Sequence, residues 1–376
     1  MIYLDHNASA PVRPEVAELL KRAFEVETGN PSSVHRAGRA ARLRLDQARE
    51  KVARAVGAPV KDVAFTASGS ESNAIALKGA WAARADVSKR RIVSSAIEHP
   101  SSMAALEQLE REGAEVIRVK PRADGQVRAD AFLAEVNAGT ALATLMWVNN
   151  ETGVIQPVHE VARACNQRGV PFHCDAVQAA GRVRCTLQEV PADLLSLSGH
   201  KLGAPAGCAA LIGRRALPVA SLVPGHQEDG RRGGTQAVAM AEAFALALEL
   251  SQREVAAEGV RLDELRGYFE AQVRARVARV SVNGEGAPRA PGTSNLRFEG
   301  ADGEAVLIAL DLEGICVSSG AACASGSLKP SHVLLAMGLS STQAQESLRF
   351  SFGRTTTKAE LDAVVDALAR AVKVRG

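Results

Sequence analysis

Residues 196–211 read SLSGHKLGAPAGCAAL, an apolar segment that ends in a small-residue turn before a second apolar run begins. Lys201 lies in this turn, shortly after Ser198 and directly after His200. Lysine is almost never buried without a purpose, so its position at the end of a buried strand is informative. A desolvated lysine at such a strand end can act as a nucleophilic amine or form a Schiff base.

The chain around this turn alternates short apolar runs with helical patterns. The predicted strands are Val63–Thr66, Arg91–Ser95, Glu115–Val119, Ala143–Val148, Pro171–Cys174, Leu194–Ser196 and Cys208–Ile212. The predicted helices between them are Ser70–Ala83, Pro100–Glu112, Ala129–Asn137 and Val158–Gln167. This alternation predicts βαβ units and an α/β fold with a mostly parallel sheet. Ligands of such sheets bind beyond the carboxyl ends of the strands.

After about residue 250 the pattern changes to that of a smaller α+β domain. The predicted elements there are helices at Ala237–Leu250, Glu254–Val280, Gly303–Leu312 and Thr357–Val372, and strands at Gly292–Phe298 and Ser347–Ser351. We therefore predict a large domain over residues 15–250 and a small domain formed by residues 1–14 and 251–376.

Composition excludes several classes of protein. The 376 residues are 46% hydrophobic with a formal net charge of +3, which gives no general reason to expect nucleic-acid or membrane binding. The N-terminus lacks the pattern of a signal peptide and no apolar run is long enough to cross a membrane, so we expect a cytoplasmic protein. The six cysteines show no metal-ligand spacing, and no metal is expected. The basic helix Arg36–Arg54 is interpreted as a solvated face, with a docking surface as the alternative.

Three further motifs carry polar groups suited to chemistry. In PFHCDAVQAAG (171–181), Asp175 follows a strand, where a carboxylate either caps a helix or faces the pyridine nitrogen of pyridoxal phosphate. In VAFTASGSESNAIALKGA (63–80), Gly69 and Ser70 begin a helix whose free N–H groups suit a phosphate. His99, Asn149, Asn150 and Thr235 lie in comparable turns, where an ordinary turn or cap role is the alternative.

The last motifs are a small-residue loop and an arginine-bearing strand. VSSGAACASGSLKPSHVL (317–334) carries Cys323 among Ala, Gly and Ser, which bury a thiol poorly and leave it free to attack. In LRFSFGRTT (348–356), Arg349 suits bidentate binding of a substrate carboxylate, with a surface ion pair as the alternative.

Taken together, these motifs resemble the cysteine desulfurases, which are fold-type-I pyridoxal-phosphate enzymes of the class-V aminotransferase type. The resemblance extends over nearly the whole chain, and it includes the subgroup signature Ser-Ser-Gly-x-x-Cys of the long cysteine loop. The motifs occur in the family's order: YLDHNASAP, GNPSSVHRAGRAA, ESNAIALKG, EHPS, VNNETGVIQP, CDAVQAAG, SGHKLGAPAG, GGT, SSGAACASG and LRFSFGR.

The resemblance implies a role for each site residue. Lys201 would form the Schiff base with pyridoxal 5'-phosphate, His99 would stack on its ring and carry protons, and Cys323 would take the sulfur. The other implied cofactor-binding residues are Asp175, Gln178, Asn150, Gly69, Ser70, Ser198, His200 and Thr235, the last reaching across a dimer interface. The implied substrate-binding residues are Arg349 and Asn30.

The implied function is removal of sulfur from L-cysteine to give L-alanine and a persulfide on Cys323. Expected partners are a second copy of the chain and a sulfur-acceptor protein, either a scaffold or a thiolation enzyme, as in iron–sulfur cluster assembly. One alternative is another fold-type-I enzyme, such as a selenocysteine lyase or an aminotransferase. The other is a catalytically idle sulfur-relay or assembly partner, because fold alone does not fix function.

Overall fold

The computed structural model describes residues 1–26, 29–319 and 330–372. The strands are β1 (Ile2–Tyr3), β2 (Val63–Thr66), β3 (Arg91–Ser95), β4 (Glu115–Val119), β5 (Thr140–Met146), β6 (Phe172–Asp175), β7 (Leu194–Ser198), β8 (Ala209–Gly213), β9 (Val280–Val282), β10 (Thr293–Phe298), β11 (Ile315–Cys316) and β12 (Ser347–Ser351). The helices are α1 (Pro14–Val26), α2 (Arg36–Val56), α3 (Gly69–Ala74), α4 (Ala80–Ala83), α5 (Pro100–Arg111), α6 (Ala129–Glu135), α7 (Val158–Gln167), α8 (Val238–Arg276), α9 (Gly303–Leu312), α10 (His332–Ala336), α11 (Ser341–Gln345) and α12 (Lys358–Ala371). A π-helical turn, Ile75–Gly79, joins α3 to α4.

Seven strands form the main sheet in the order β2, β8, β7, β6, β5, β3, β4. Strand β8 runs antiparallel to both of its neighbours, and the other pairs are parallel. The predicted α/β class with a mostly parallel sheet is therefore confirmed. The carboxyl ends of the parallel strands share one edge, and the chain segments that follow β3, β5, β6 and β7 meet there.

A second sheet, with strand order β12, β10, β9, is antiparallel throughout. Its core is aromatic: the ring of Phe269 lies 5.1 Å from that of Phe350 and 5.4 Å from that of Phe352, measured between centroids. Strand β1 pairs with β11, and Asp5 forms an isolated bridge to Ser351 of β12. The N-terminal residues therefore run beside this second sheet before they reach the edge of the first.

The prediction of two helices between Ala237 and Val280 is wrong, because α8 is one continuous helix of 39 residues. Residues 251–253, which separate the two predicted helices, contain neither Gly nor Pro, and Ser251 is itself buried. Leu248 packs in the core of the main sheet, whereas Phe269 packs in that of the second. One rigid helix thus connects the two cores. No helix in the described part of the chain has both the length and the apolar character needed to cross a membrane.

Candidate active site

A cavity of about 570 Å³ lies at the carboxyl edge of the main sheet. The sequence-predicted residues that line it are Gly69, Ser70, His99, Asn150, Asp175, Gln178, His200, Lys201 and Arg349. Its volume falls within the usual range of small-molecule sites. The topology explains this convergence, since the residues follow different strands or lie beside the second sheet and only the fold brings them together.

Lys201 reaches the N-terminal segment of the chain. It ends a short 3₁₀ turn, Gly199–Lys201, that follows β7. Its Nζ donates hydrogen bonds to the main-chain oxygens of Asn7, at 2.5 Å, and Ala8, at 2.7 Å. Carbonyl groups only accept hydrogen bonds, so this pair orients the amine without a competing charge.

Asp175 is the last residue of β6 and is only 4% exposed. Its Oδ2 accepts a hydrogen bond from Nδ2 of Asn73 at 2.7 Å, and its Oδ1 accepts one from the N–H of Val177 at 3.0 Å. Both carboxylate oxygens are therefore held by neutral donors. A carboxylate fixed in this way is suited to pairing with a cationic nitrogen of a ligand in the cavity.

Asn7 connects several walls of the cavity. Its main-chain oxygen accepts from Nε2 of Gln178 at 2.8 Å as well as from Lys201. Its Nδ2 donates to the main-chain oxygen of Asn150 at 3.0 Å, and its Oδ1 accepts from Arg182 at 2.5 Å. We did not predict this role, although the YLDHNASAP motif that contains Asn7 carried part of the resemblance.

Two imidazoles of the cavity are held as neutral groups. The His99 ring nitrogen Nδ1 accepts from the main-chain N–H of Ser101 at 3.1 Å, which leaves the proton on Nε2. Burial lowers the pKa of His99, and the nearby positive charge of Lys201 acts in the same direction. Burial and Lys201 also lower the pKa of His200 to about 4. The His200 Nδ1 lies 2.9 Å from the hydroxyl of Ser198, which is buried beside the cavity.

The turn at the start of α3 approaches the cavity closely. The Ser68 hydroxyl caps the helix by accepting from the N–H of Glu71 at 3.1 Å. A Cβ added to Gly69 would lie 2.8 Å from Val177 Cγ2 and 3.2 Å from Ser198 Cβ, so only glycine fits without displacement. The main chain is therefore exposed to the cavity at a helix start, where N–H groups suit an anion.

Arg349 lies in β12 and is 3% exposed. Its guanidinium pairs with Oδ1 of Asp5 at 2.6 Å and donates to the main-chain oxygen of Asn150 at 3.0 Å. Its Nε is buried and has no hydrogen-bond partner among the described residues. The guanidinium of Arg349 is thus fixed in position, and its Nε can still donate a hydrogen bond to a carboxylate ligand.

Comparison with known proteins places this site in a family. The profile of the class-V aminotransferases matches residues 2–364. A cysteine desulfurase from Trichormus azollae is 39% identical over 374 residues, which cover 99% of this chain and 93% of that protein. The chain belongs to the cysteine desulfurases of the class-V aminotransferase family. Members of this family depend on pyridoxal phosphate.

Solved structures agree with this assignment. A NifS-like protein superposes with a TM-score of 0.91 at 29% identity, covering 98% of both chains. A structure described as SspA in complex with cysteine superposes with a TM-score of 0.83 at 32% identity, covering 94% of this chain and 99% of that one. The fold and the family of this desulfurase thus rest on sequence and on structure.

Some predicted residues of the desulfurase lie apart from the cavity. Thr235 is exposed and lines a separate cavity with Arg232. Asn30 is exposed, and its Oδ1 accepts from the N–H of Ser32. Cys323 lies outside the described residues. The roles assigned to these three residues stay predictions.

The cavity is also lined by two ionisable residues that we did not predict as site residues, Glu151 and His332. Glu151 follows Asn150 directly and lies within the VNNETGVIQP motif. His332 lies at the end of the loop motif that carries Cys323. Both residues lie inside motifs that we had singled out, and that was the signal that could have found them. A motif does not show, however, which of its side chains face the cavity.

Proposed function

We propose that this cysteine desulfurase removes sulfur from L-cysteine, releases L-alanine and carries the sulfur as a persulfide on Cys323. The observation that carries the proposal is the convergence of Lys201, Asp175, His99 and Arg349 on one cavity. A relative described in complex with cysteine supports cysteine as the ligand of this cavity.

Pyridoxal 5'-phosphate fits the residues that are present. Lys201 would hold it covalently, Asp175 would pair with its ring nitrogen, and the turn at Gly69 and Ser70 would receive its phosphate. The side-chain Oδ1 of Asn150 is buried without a partner among the described residues, as expected of a group that awaits a ligand. When bound, the cofactor acts as an electron sink for the bonds around the substrate Cα.

The remaining cofactor contacts are proposed on the same basis. Gln178 and Asn150 line the cavity where they would contact the ring substituents, and Ser198 and His200 would support the phosphate. His99 would lie against the ring. Each of these groups is held by a bond to a neighbouring residue or by burial, which is the preorganisation a cofactor site requires.

Arg349 would anchor the carboxylate of L-cysteine. Its guanidinium is already fixed by Asp5 and by the main-chain oxygen of Asn150, so binding costs little side-chain ordering. Asn30 is proposed as a second contact to this carboxylate.

Lys201 and His99 would carry protons. The Lys201 amine would take the proton from the substrate Cα and would return it to Cα when alanine forms. His99 is neutral near pH 7, because burial lowers the pKa of its imidazole, so it can both accept and donate a proton.

Sulfur transfer would then proceed at Cys323. The Cys323 thiolate attacks the substrate sulfur, a new S–S bond forms and the Cβ–S bond breaks. The electron pair of the broken bond stays on Cβ, which takes a proton and becomes the methyl group of alanine. The reaction of one cysteine with one thiol thus yields one alanine and one persulfide, with no external oxidant or reductant.

We also propose a cytoplasmic homodimer that hands its sulfur to an acceptor protein. Thr235 would contact the phosphate held by the partner subunit, since it is exposed and lies outside the cavity of its own chain. An acceptor, such as a scaffold or a thiolation enzyme, would attack the persulfide of Cys323 with its own thiol.

The test is a Cys323→Ser variant incubated with L-cysteine, with Cys316→Ser as the control. We expect the Cys323 variant to keep the visible absorbance of the bound cofactor but to lose persulfide formation and sulfide release. Alanine production at the wild-type rate by Cys323→Ser would contradict the proposal. Formation of 3-mercaptopyruvate only when a keto acid is supplied would instead indicate an aminotransferase.

A further inference from the structure

His332 is an imidazole of the cavity to which the mechanism above assigns no role. It is the first residue of α10 and is half-buried among residues that line the proposed substrate site. It lies nine residues after Cys323 in the sequence. His332 therefore brings a basic side chain to the cavity from a position close in sequence to the proposed nucleophile.

One hydrogen bond fixes the position of this imidazole, and a second holds the residue before it. The His332 Nε2 lies 2.9 Å from the main-chain oxygen of Glu98, and a carbonyl oxygen can only accept, so Nε2 carries the hydrogen. In the neutral ring Nδ1 is then the basic nitrogen. The preceding residue is also held, because the Ser331 hydroxyl donates to a carboxylate oxygen of Glu151.

The charged neighbours of His332 place it close to the reacting groups. Its positive form acts with burial and Lys201 to lower the pKa of His99. Burial raises the pKa of Glu151, and the charges of His332 and Arg349 oppose that shift. The titratable and charged groups around His332 are thus Glu98, His99, Glu151, Arg349 and, further across the cavity, Lys201 with Asp175.

Most of the other bases of the cavity are unsuited to accept a thiol proton. Burial raises the pKa of Glu98 to about 8, so this carboxyl group is mostly protonated near pH 7. Burial also raises the pKa of Glu151, whose carboxyl group already accepts a hydrogen bond from the Ser331 hydroxyl. His200 has a pKa of about 4, which makes it a poor base. Lys201 and His99 are already assigned to the proton of the substrate Cα.

We propose that His332 is a further catalytic residue, the general base that accepts the proton of the attacking thiol during sulfur transfer. This inference rests on the proposed function, which brings Cys323 to the substrate in this cavity. The S–H bond of Cys323 breaks with its proton going to Nδ1, the S–S bond forms and the Cβ–S bond breaks. The imidazolium returns a proton towards Cβ, and His332 ends the cycle neutral.

The experiment compares His332→Gln with His159→Gln, which alters an exposed histidine of α7. The glutamine amide can still donate to the Glu98 carbonyl but cannot accept a proton. Two rates are measured for each protein: α-hydrogen exchange of L-alanine in deuterium oxide, which involves no thiol, and single-turnover persulfide formation detected by alkylation and mass spectrometry. Exchange reports on Lys201 and the cofactor, whereas persulfide formation also requires the thiol.

We expect His332→Gln to slow persulfide formation on the order of 100-fold at pH 7, with alanine exchange changed by less than about twofold. The loss should shrink as the pH rises above about 8.5, where a cysteine thiol ionises without help. Equal losses in both rates, an unchanged persulfide rate, or a loss that does not depend on pH would overturn the inference. Wild-type protein that exchanges alanine but forms no persulfide would overturn the proposed function itself.

Should His332→Gln be unstable, His332→Asn provides a second variant with the same readouts. Its shorter amide removes the base and also weakens the bond to Glu98. A purely structural role predicts that His332→Asn loses alanine exchange and persulfide formation together. The proposed role predicts that the exchange persists in both variants.

Discussion

The side-chain amide of Asn73 donates a 2.7 Å hydrogen bond to Oδ2 of Asp175 and so joins helix α3 to strand β6. Asn73 is 1% exposed, and the bond is buried. The second oxygen of Asp175 is held by the N–H of Val177. The carboxylate proposed to pair with the cofactor is therefore oriented from two sides by the protein alone.

Asn73→Ala should lower turnover by about 10- to 100-fold, because a carboxylate that loses an orienting partner no longer holds its productive position. We expect the loss in kcat, with the KM for L-cysteine nearly unchanged, and a shift in the visible absorbance of the bound cofactor. Steady-state kinetics and spectra check this. Asn166→Ala, which removes a distant bond to the Pro191 carbonyl, is the control. A variant with wild-type kcat and spectrum would show that Asn73 does not position Asp175.

Glu98 should make the stability of the protein fall as pH rises. Burial raises its pKa to about 8 in the folded chain, whereas an unfolded glutamate releases its proton near its ordinary value of 4.5. Between these values the folded state keeps a proton that the unfolded state has lost. The contribution of Glu98 to the free energy of unfolding is thus complete below the unfolded pKa and is lost as pH rises through about 8.

Glu98→Gln should remove this dependence. The amide stays neutral and can still accept from the N–H of Met146. Denaturant unfolding at pH 5 and pH 8 should show the variant gaining stability relative to wild type as pH rises, at up to about 1.4 kcal/mol per pH unit. Glu107→Gln, an exposed glutamate on α5, should leave the wild-type slope unchanged. Parallel pH profiles for wild type and Glu98→Gln would refute the prediction.

Replacing Glu228 should lower the stability of the protein more than replacing most other loop residues, because its side chain covers the edge of the main sheet. Its carboxylate accepts from the N–H of Phe65 in edge strand β2 at 2.7 Å and from Arg49 at 2.6 and 2.8 Å. Glu228 is 6% exposed and has a φ of 49°, an unusual conformation for a residue with a side chain. These contacts indicate that the Glu228 carboxylate fixes its loop against the edge of the main sheet.

Glu228→Ala should lower the free energy of unfolding by about 3–5 kcal/mol, since it leaves the Arg49 charge buried without its partner. Glu18→Ala is the matched control, because it breaks an ion pair with Arg22 whose side chains are 52% and 75% exposed. That control should cost less than about 1 kcal/mol. Similar losses for the two variants in denaturant unfolding would show that burial of the Arg49 pair adds nothing.

Much of the fold could be predicted because apolar runs bounded by turns are local signals. The bounds of β2, β3, β4 and β12 match the predictions to the residue. The continuity of α8 could not be predicted from its pattern, since its two halves pack in two separate cores. The hydrogen bond from Lys201 to Asn7 could not be predicted either, because its acceptor is a main-chain carbonyl group, which every residue has.

The site was predictable for a related reason. Residues that follow parallel strands meet at one edge of the sheet, so Asp175 and Lys201 come together through topology alone. His332 and Glu151 were missed because a position inside a motif does not show whether a side chain faces the cavity. For Thr235, a family resemblance predicted a contact that a single chain cannot display.

That contact leads to a complementation experiment. Thr235→Glu would place a carboxylate beside the phosphate of the partner's cofactor, and Lys201→Ala removes the covalent anchor. Each variant alone should be inactive. Consider a mixed dimer with one Thr235→Glu subunit and one Lys201→Ala subunit. If Thr235 acts across the interface, one of its active sites carries both changes and the other carries neither. After subunit exchange half of the dimers are mixed and half of their sites are intact, so activity should recover to roughly one quarter of wild type.

The control mixes Lys201→Ala with Asp175→Asn. Both of these residues line the cavity of the same chain, so every site of the mixed dimer carries one defect and no activity should return. If Thr235 acted within its own subunit, its mixture with Lys201→Ala would be as inactive as this control. Activity that recovers only in the mixture of Thr235→Glu with Lys201→Ala would therefore mean that Thr235 completes the active site of the other subunit across the dimer interface.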